Sequence, residues 1–213
     1  MLLSSSPGLI LMIILIKLTN MRNMRWQKLN LALFAGLMAL TGSCNKTLTL
    51  VRIDDGLNAE EHIKLGSIYL ANGETMQSKQ QFQRATIEDK KNPDGWFGLG
   101  MAEHGIGHFA SAARDFQKAL SLKPDYAEAH NNLADSCLRL GRIEEAGREA
   151  RESIRLGGDQ VAFYHLTYAE VLLESHDPEA ACAEMAVARN LGGNNPPLLE
   201  QLKPLEDKNC HGR

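Results

Sequence analysis

Residues 96–124 read WFGLGMAEHGIGHFASAARDFQKALSLKP, and this stretch decides the fold. Trp96, Leu99 and Gly100 share one face of a first helix, which Gly107 breaks. Ala112, Phe116 and Ala119 share a face of a second helix, which Pro124 stops. A step of 34 residues repeats the chemistry: Gly73, Gly107 and Gly141 keep it, as do Ala112 and Ala146, with Ser78 in the equivalent place upstream. Leu65-Gly66, Leu99-Gly100 and Leu133-Ala134 keep the same step, and so do Phe82, Phe116 and Ala150. A period of that length built from two short helices marks a stacked helical repeat.

The pattern resembles the tetratricopeptide repeat. The second copy carries Trp96, Leu99, Gly100, Ala112, Phe116, Ala119 and Pro124, with Glu103 departing where the family has an aromatic residue. The first matches at Leu65, Gly66, Tyr69, Phe82 and Ala85, and the third at Leu133, Ala134, Cys137 and Ala146. A fourth, shifted by one residue, reads Tyr168, Ala169, Leu172, Ala181, Met185 and Ala188. The resemblance implies an all-α, right-handed superhelical array of about four helix-turn-helix repeats, at 59–92, 93–126, 127–160 and 162–195. In the fourth copy His176-Asp177-Pro178 replaces the turn glycine, Asp177 serving as N-cap and Pro178 as first helical residue. Leu198, Leu199, Leu202 and Leu205 predict a short capping helix over 196–205, of the kind a solenoid needs at its end. Residues 206–213 read as a disordered tail.

Formal charge is -3, but residues 1–44 hold Lys17, Arg22, Arg25 and Lys28 and no acid. The remainder therefore carries 19 basic against 26 acidic residues, or -7. An acidic body argues against nucleic acid as a partner. Cys44, Cys137, Cys182 and Cys210 show no metal-ligand spacing. Cys137 and Cys182 read as small core residues, and Cys210-His211 falls in the tail.

The N-terminal segment has the order of an export signal. Residues 21–30, MRNMRWQKLN, are basic, Leu31 to Leu40 is apolar, and Thr41-Gly42-Ser43-Cys44 follows. It resembles a bacterial lipoprotein signal, which implies a lipid-anchored chain beginning at an acylated Cys44; an uncleaved membrane anchor and a plain secreted form are the alternatives. The departure is Leu40, four residues before the cysteine rather than three. Residues 1–20 then read as an extension upstream of the true start or as a second apolar segment, and 45–58 as a tether in which Thr47-Leu48-Thr49-Leu50 alternates like a short strand. Asn45, in place of the aspartate that retains such proteins at the inner membrane, favours the periplasmic side of the outer membrane.

No nucleophile, paired acids or phosphate loop stands out, and Gly98-x-Gly100 sits mid-helix. The reading is a non-enzymatic scaffold without cofactor. The alternative is a membrane-associated enzyme or metal-binding protein using His104 and His108, with His130 nearby. By the resemblance, the first helix of each repeat lines a partner-binding groove. Carried over, the groove comprises Ile63, Ser67, Phe97, Met101, His104, Asn131, Asn132, Asp135, Leu166 and Glu170. Phe97 and Met101 either line it or pack between repeats. Ile63, Ser67, Glu128 and Asn132 stand where relatives that clamp a C-terminal carboxylate place Lys, Asn and Arg, so that ligand is not expected. An extended or helical segment of another protein, carrying some positive charge, is the expected partner, with self-association through the groove as a further option. Glu149, on a second helix, is expected to face outward. Envelope proteins of this resemblance suggest pilus, secretion or cell-wall assembly.

Overall fold

The computed structural model describes residues 56–210. The signal segment, Cys44, all but the end of the tether and the Thr47–Leu50 alternation lie outside the described residues, as do 211–213.

Nine helices and no strand are found among the described residues. They are α1 (Ala59–Ala71), α2 (Thr75–Glu88), α3 (Pro93–Gly105), α4 (Phe109–Leu122), α5 (Ala127–Arg139), α6 (Ile143–Leu156), α7 (Val161–Glu174), α8 (Pro178–Gly192) and α9 (Pro196–Asn209). Successive pairs form four hairpins. Each second helix packs on the next first helix, and α1, α3, α5 and α7 each also touch the next odd-numbered helix. None of these helices is long and apolar enough to cross a membrane.

Helix starts follow the local sequence. The Asn58 side chain accepts from the Glu61 N–H, and Glu61 accepts from the Asn58 N–H, a reciprocal pair that caps α1. Asn92, Asp177 and Asn195 cap α3, α8 and α9, each followed by proline, whose missing N–H costs nothing there. Helix ends repeat a single turn. The amide of Gly73 donates to Leu70 O and that of Glu74 to Tyr69 O, and the same two bonds recur at Gly107, Gly141 and His176. This turn requires a left-handed residue, and the three glycines sit at φ 77°, 82° and 72°. His176 adopts φ 63° in their place, so the fourth hairpin keeps the turn and carries its strain on a side-chain-bearing residue.

Inside each hairpin the small residue of the repeat pattern, Ser78, Ala112, Ala146 or Ala181, is fully buried. The glycines of the sequence pattern make room for rings. A Cβ on Gly100 would lie 2.6 Å from the Phe116 ring, and one on Gly98 would lie 2.1 Å from Phe82. That is the physical reason for Gly98-x-Gly100.

Two expectations are corrected at the C-terminus. The capping helix does not stop at Leu205 but runs to Asn209, so residues 206–209 are helical and not a disordered tail. Cys182 is not a free core residue, because it is bonded to Cys210, 28 residues away. Antiparallel helices on either side of the turn at 193–195 bring the start of α8 alongside the end of α9. Cys137 is buried and free, and burial pushes its thiol up to about 12, leaving it unreactive.

Candidate functional site

The first helices lie side by side, so the groove residues can be followed from repeat to repeat. On α1, Ile63 packs against the Phe82–Leu99 cluster, and Ser67 is exposed with its hydroxyl donating to Ile63 O at 2.9 Å. On α3, the Phe97 ring sits 5.8 Å from Phe116 and 4.8 Å from Tyr126, and Met101 joins the same cluster. These two pack between repeats.

Further along, the side chains gather around a space. Asn131, Asn132 and Asp135 of α5 and Leu166 and Glu170 of α7 line a cavity of about 190 Å³, together with Arg139 and with Gln201 of α9. His104 reaches it indirectly, its Nε2 lying 2.7 Å from Asp135 Oδ2. The Asn132 amide donates to Glu128 O at 2.7 Å. Burial pushes the Asp135 carboxyl up, but His104 and Arg139, the latter donating at 3.1 Å, outweigh it and hold it below the usual range. Glu170 moves the other way: burial and the Asp135 charge push it up, against Arg139, whose Nη2 is 3.9 Å away. The α5–α7 part of the face thus offers amides and two unlike carboxylates, while the α1–α3 part is closed on its own core.

His104 and His108 are held by different carboxylates. His108 Nδ1 faces Glu103 Oε2 at 2.9 Å, and the buried Glu103 also takes Lys79 Nζ at 2.8 Å. Where the repeat motif has an aromatic residue, this chain has a charged network. Among the described residues no group of three or more His, Cys, Asp or Glu could hold a metal ion.

Glu149 does not simply face outward. Its carboxylate lies 2.7 Å from His130 Nδ1, while His130 Nε2 lies 3.0 Å from the Pro124 carbonyl. Both ring nitrogens therefore meet acceptors. Burial pulls His130 down, but these bonds outweigh it and hold the imidazole above its ordinary value. The arrangement recurs across other hairpins: His62 pairs with Gln81 at 2.8 Å and His165 with Glu184 at 2.6 Å, each partner 19 residues on. In the second hairpin Trp96 takes the histidine's place and donates instead to Lys90 O at 3.0 Å. Asp115, at the partner's place, is pushed up to about 6 by burial and by Glu103. Sequence reasoning missed this clasp, although His62, His130 and His165 share one repeat position.

Residues 105–160 match the family model described as tetratricopeptide repeat. That match covers α4, α5 and α6, and the nine described helices together have the fold of such a repeat solenoid. A solved structure of Pseudomonas aeruginosa pilF is similar in fold, with TM-score 0.62 at 23% identity over 70% of this chain and 68% of that one. A thermophilic tetratricopeptide repeat protein of Thermus thermophilus gives TM-score 0.61 at 17% identity over 71% and 83%. Among curated proteins, the tetratricopeptide repeat-containing protein trd-1 of Caenorhabditis elegans is 24% identical over 105 residues, 49% of this chain. The chain spans only 12–16% of the length of the curated relatives it matches. The matched family is a repeat family and not a catalytic one, and such solenoids generally present extended surfaces to protein partners.

Proposed function

We propose that the protein is a non-enzymatic adaptor of the bacterial cell envelope, tethered by lipid at Cys44 and holding a partner protein against its first helices. The observation that carries this reading is the α5–α7 cavity, which joins five residues of the expected groove: Asn131, Asn132, Asp135, Leu166 and Glu170. Side-chain amides suit a peptide backbone, and the half-buried Phe163 beside them supplies apolar contact, Leu166 itself being buried in the core.

Two further observations support the envelope location. The basic–apolar–cysteine order of residues 21–44 is that of an export signal. The Cys182–Cys210 disulfide suits a compartment in which disulfides persist, and such bonds are rare in the cytosol. The periplasmic side of the outer membrane is the location proposed. Pilus, secretion or cell-wall assembly is the class of work proposed, on the lipoprotein resemblance and the likeness in fold to pilF.

The test is a photo-crosslinking residue at Asn131 in living cells, with one at the exposed Arg148 of α6 as comparison. A discrete adduct from Asn131 alone is expected, and equal adducts from both positions would remove the groove. Radiolabelled palmitate should enter the wild type and not Cys44→Ser; equal labelling of both would remove the lipid anchor.

A further inference from the structure

We infer that the end of the face formed by α5, α7 and α9 is a docking site for a segment carrying both apolar and cationic side chains, and that α9 is a wall of this site as well as a cover for the core. The inference rests on the partner-binding reading above and names the chemistry of the segment taken.

A second cavity, of about 770 Å³, adjoins the first and shares Arg139 and Glu170 with it. It is lined by the last residues of three helices: Leu138-Arg139 of α5, Leu173-Glu174 of α7 and Lys208-Asn209 of α9. Helix C-termini carry partial negative charge; at α5 and α7 the turn amides of Gly141 and His176 already occupy Leu138 O and Leu173 O, so it is the dipoles that act here. The helix N-terminus at the cavity offers an anion little. It begins at Pro178, which has no N–H, and the Asp177 carboxylate already takes the Ala180 N–H at 3.1 Å.

Of the charged side chains here, Glu174 and Lys208 are exposed at the rim, and Arg139 is committed to Asp135 at 3.1 Å. Glu170 stands between the two cavities, its side chain 28% exposed, and accepts no hydrogen bond from the described residues; its nearest cation is 3.9 Å away. A half-buried carboxylate so placed calls for a guanidinium or ammonium from outside. Phe163 on one side of it and Leu173 and Leu205 on the other are half-buried and leave apolar surface for neighbouring aliphatic groups. The -7 charge of residues 45–213 points to the same sign of partner.

The α9 wall depends on the disulfide. Leu198 and Leu202, in its first half, are buried against α7 and α8. Pro204 then removes a helical hydrogen bond. Beyond it, Leu205, Lys208 and Asn209 reach the cavity, held by the Cys182–Cys210 bond and the Arg189–Glu206 ion pair.

The experiment uses the purified full chain in detergent and an end-blocked fluorescent nonapeptide of alternating leucine and arginine, with a leucine–glutamate version as control. Fluorescence anisotropy should show binding of the arginine peptide only. Glu170→Gln should weaken it at least tenfold with an unchanged melting curve. The Cys182→Ala, Cys210→Ala pair should weaken it similarly while amides near Leu198 stay protected from exchange. Equal binding of both peptides, binding of neither, or wild-type affinity in Glu170→Gln overturns the inference. Adducts from Asn131 that survive Glu170→Gln would leave the adaptor standing and the docking chemistry wrong. Peptide binding without any adduct in cells would leave the site standing and the adaptor wrong.

Discussion

The first hairpin and the last are built from the same repeat, yet they end differently. At α1 and α2, Ile68, Met76 and Ile87 are each more than half exposed, and the local core is the small cluster of Phe82, Leu99 and Ala102. At the other end six buried residues of α7 and α8 join Leu198 and Leu202 of α9 in one cluster, and a disulfide ties α9 to α8, although Leu191 of α8 is also more than half exposed. In a solenoid, stability is close to a sum of repeat and neighbour terms, so local opening follows such differences. Both candidate cavities lie at the reinforced end. The face is open where the scaffold is stiff.

Loss of the disulfide tests this contrast most severely. By chain entropy, a bond closing a loop of this size contributes about 3–4 kcal/mol, so Cys182→Ser should lower the melting temperature and raise amide exchange in α9 far more than in α1. Equal exchange at both ends of the wild-type protein would break the comparison. Gly98→Ala attacks the other end. The added Cβ meets the Phe82 ring and should cost about 1–3 kcal/mol, with exchange rising in α1 and α2 while α8 keeps its protection.

The turns offer a smaller, paired test. Gly141→Ala should lose about 1 kcal/mol, because its φ of 72° suits glycine. His176→Gly should gain up to about 1 kcal/mol by relieving φ 63°. Denaturant titration of both variants checks the opposite signs.

The smallest effect is on pH dependence in the middle of the array. Asp115, raised from 3.8 to about 6, binds a proton more tightly folded than unfolded, so stability rises as pH falls through about 6. His130, raised above its ordinary 6.5, contributes stability below that value and loses it as pH rises through the folded value. Thermal melts should therefore shift upward from about pH 7.5 to about pH 5.5. Asp115→Asn should flatten the shift. The lowered carboxylate of Asp135 acts only below the ordinary carboxylate range and leaves this window alone.

The hairpins were legible because small residues and glycines recur at one step, and their steric meaning is local. What escaped was long-range or polar. Cys210 looked like a loose end because the leucine spacing of the last helix runs out at Leu205, yet the reversal at 193–195 brings the extended helix back along α8 to Cys182. The aromatic rule gave no account of Glu103, which works as a buried anion between Lys79 and His108. Phe97 could be placed on the groove side of α3 but not judged exposed, since Tyr126, which covers it, belongs to no conserved slot of the motif. Asn131, Asp135 and Glu170 were readable as neighbours because one helical turn and one repeat step relate them. The cavity they line needs α9 as well.

The fit of Phe82 against Gly98 has a consequence for how such an array can be altered. The ring of the first hairpin leans into a notch on the second, and the corresponding positions elsewhere are Lys64, Asn132 and Thr167, which offer no notch. Phe82 and its counterpart Phe116 both also lie against a glycine of their own hairpin, Gly66 and Gly100, but no following glycine receives the Phe116 ring. The hairpins are thus not interchangeable modules. Excision of residues 93–126 would set Phe82 against a side chain at Asn132, so a shortened array would need a compensating glycine there, and shuffled copies would join only in their present order.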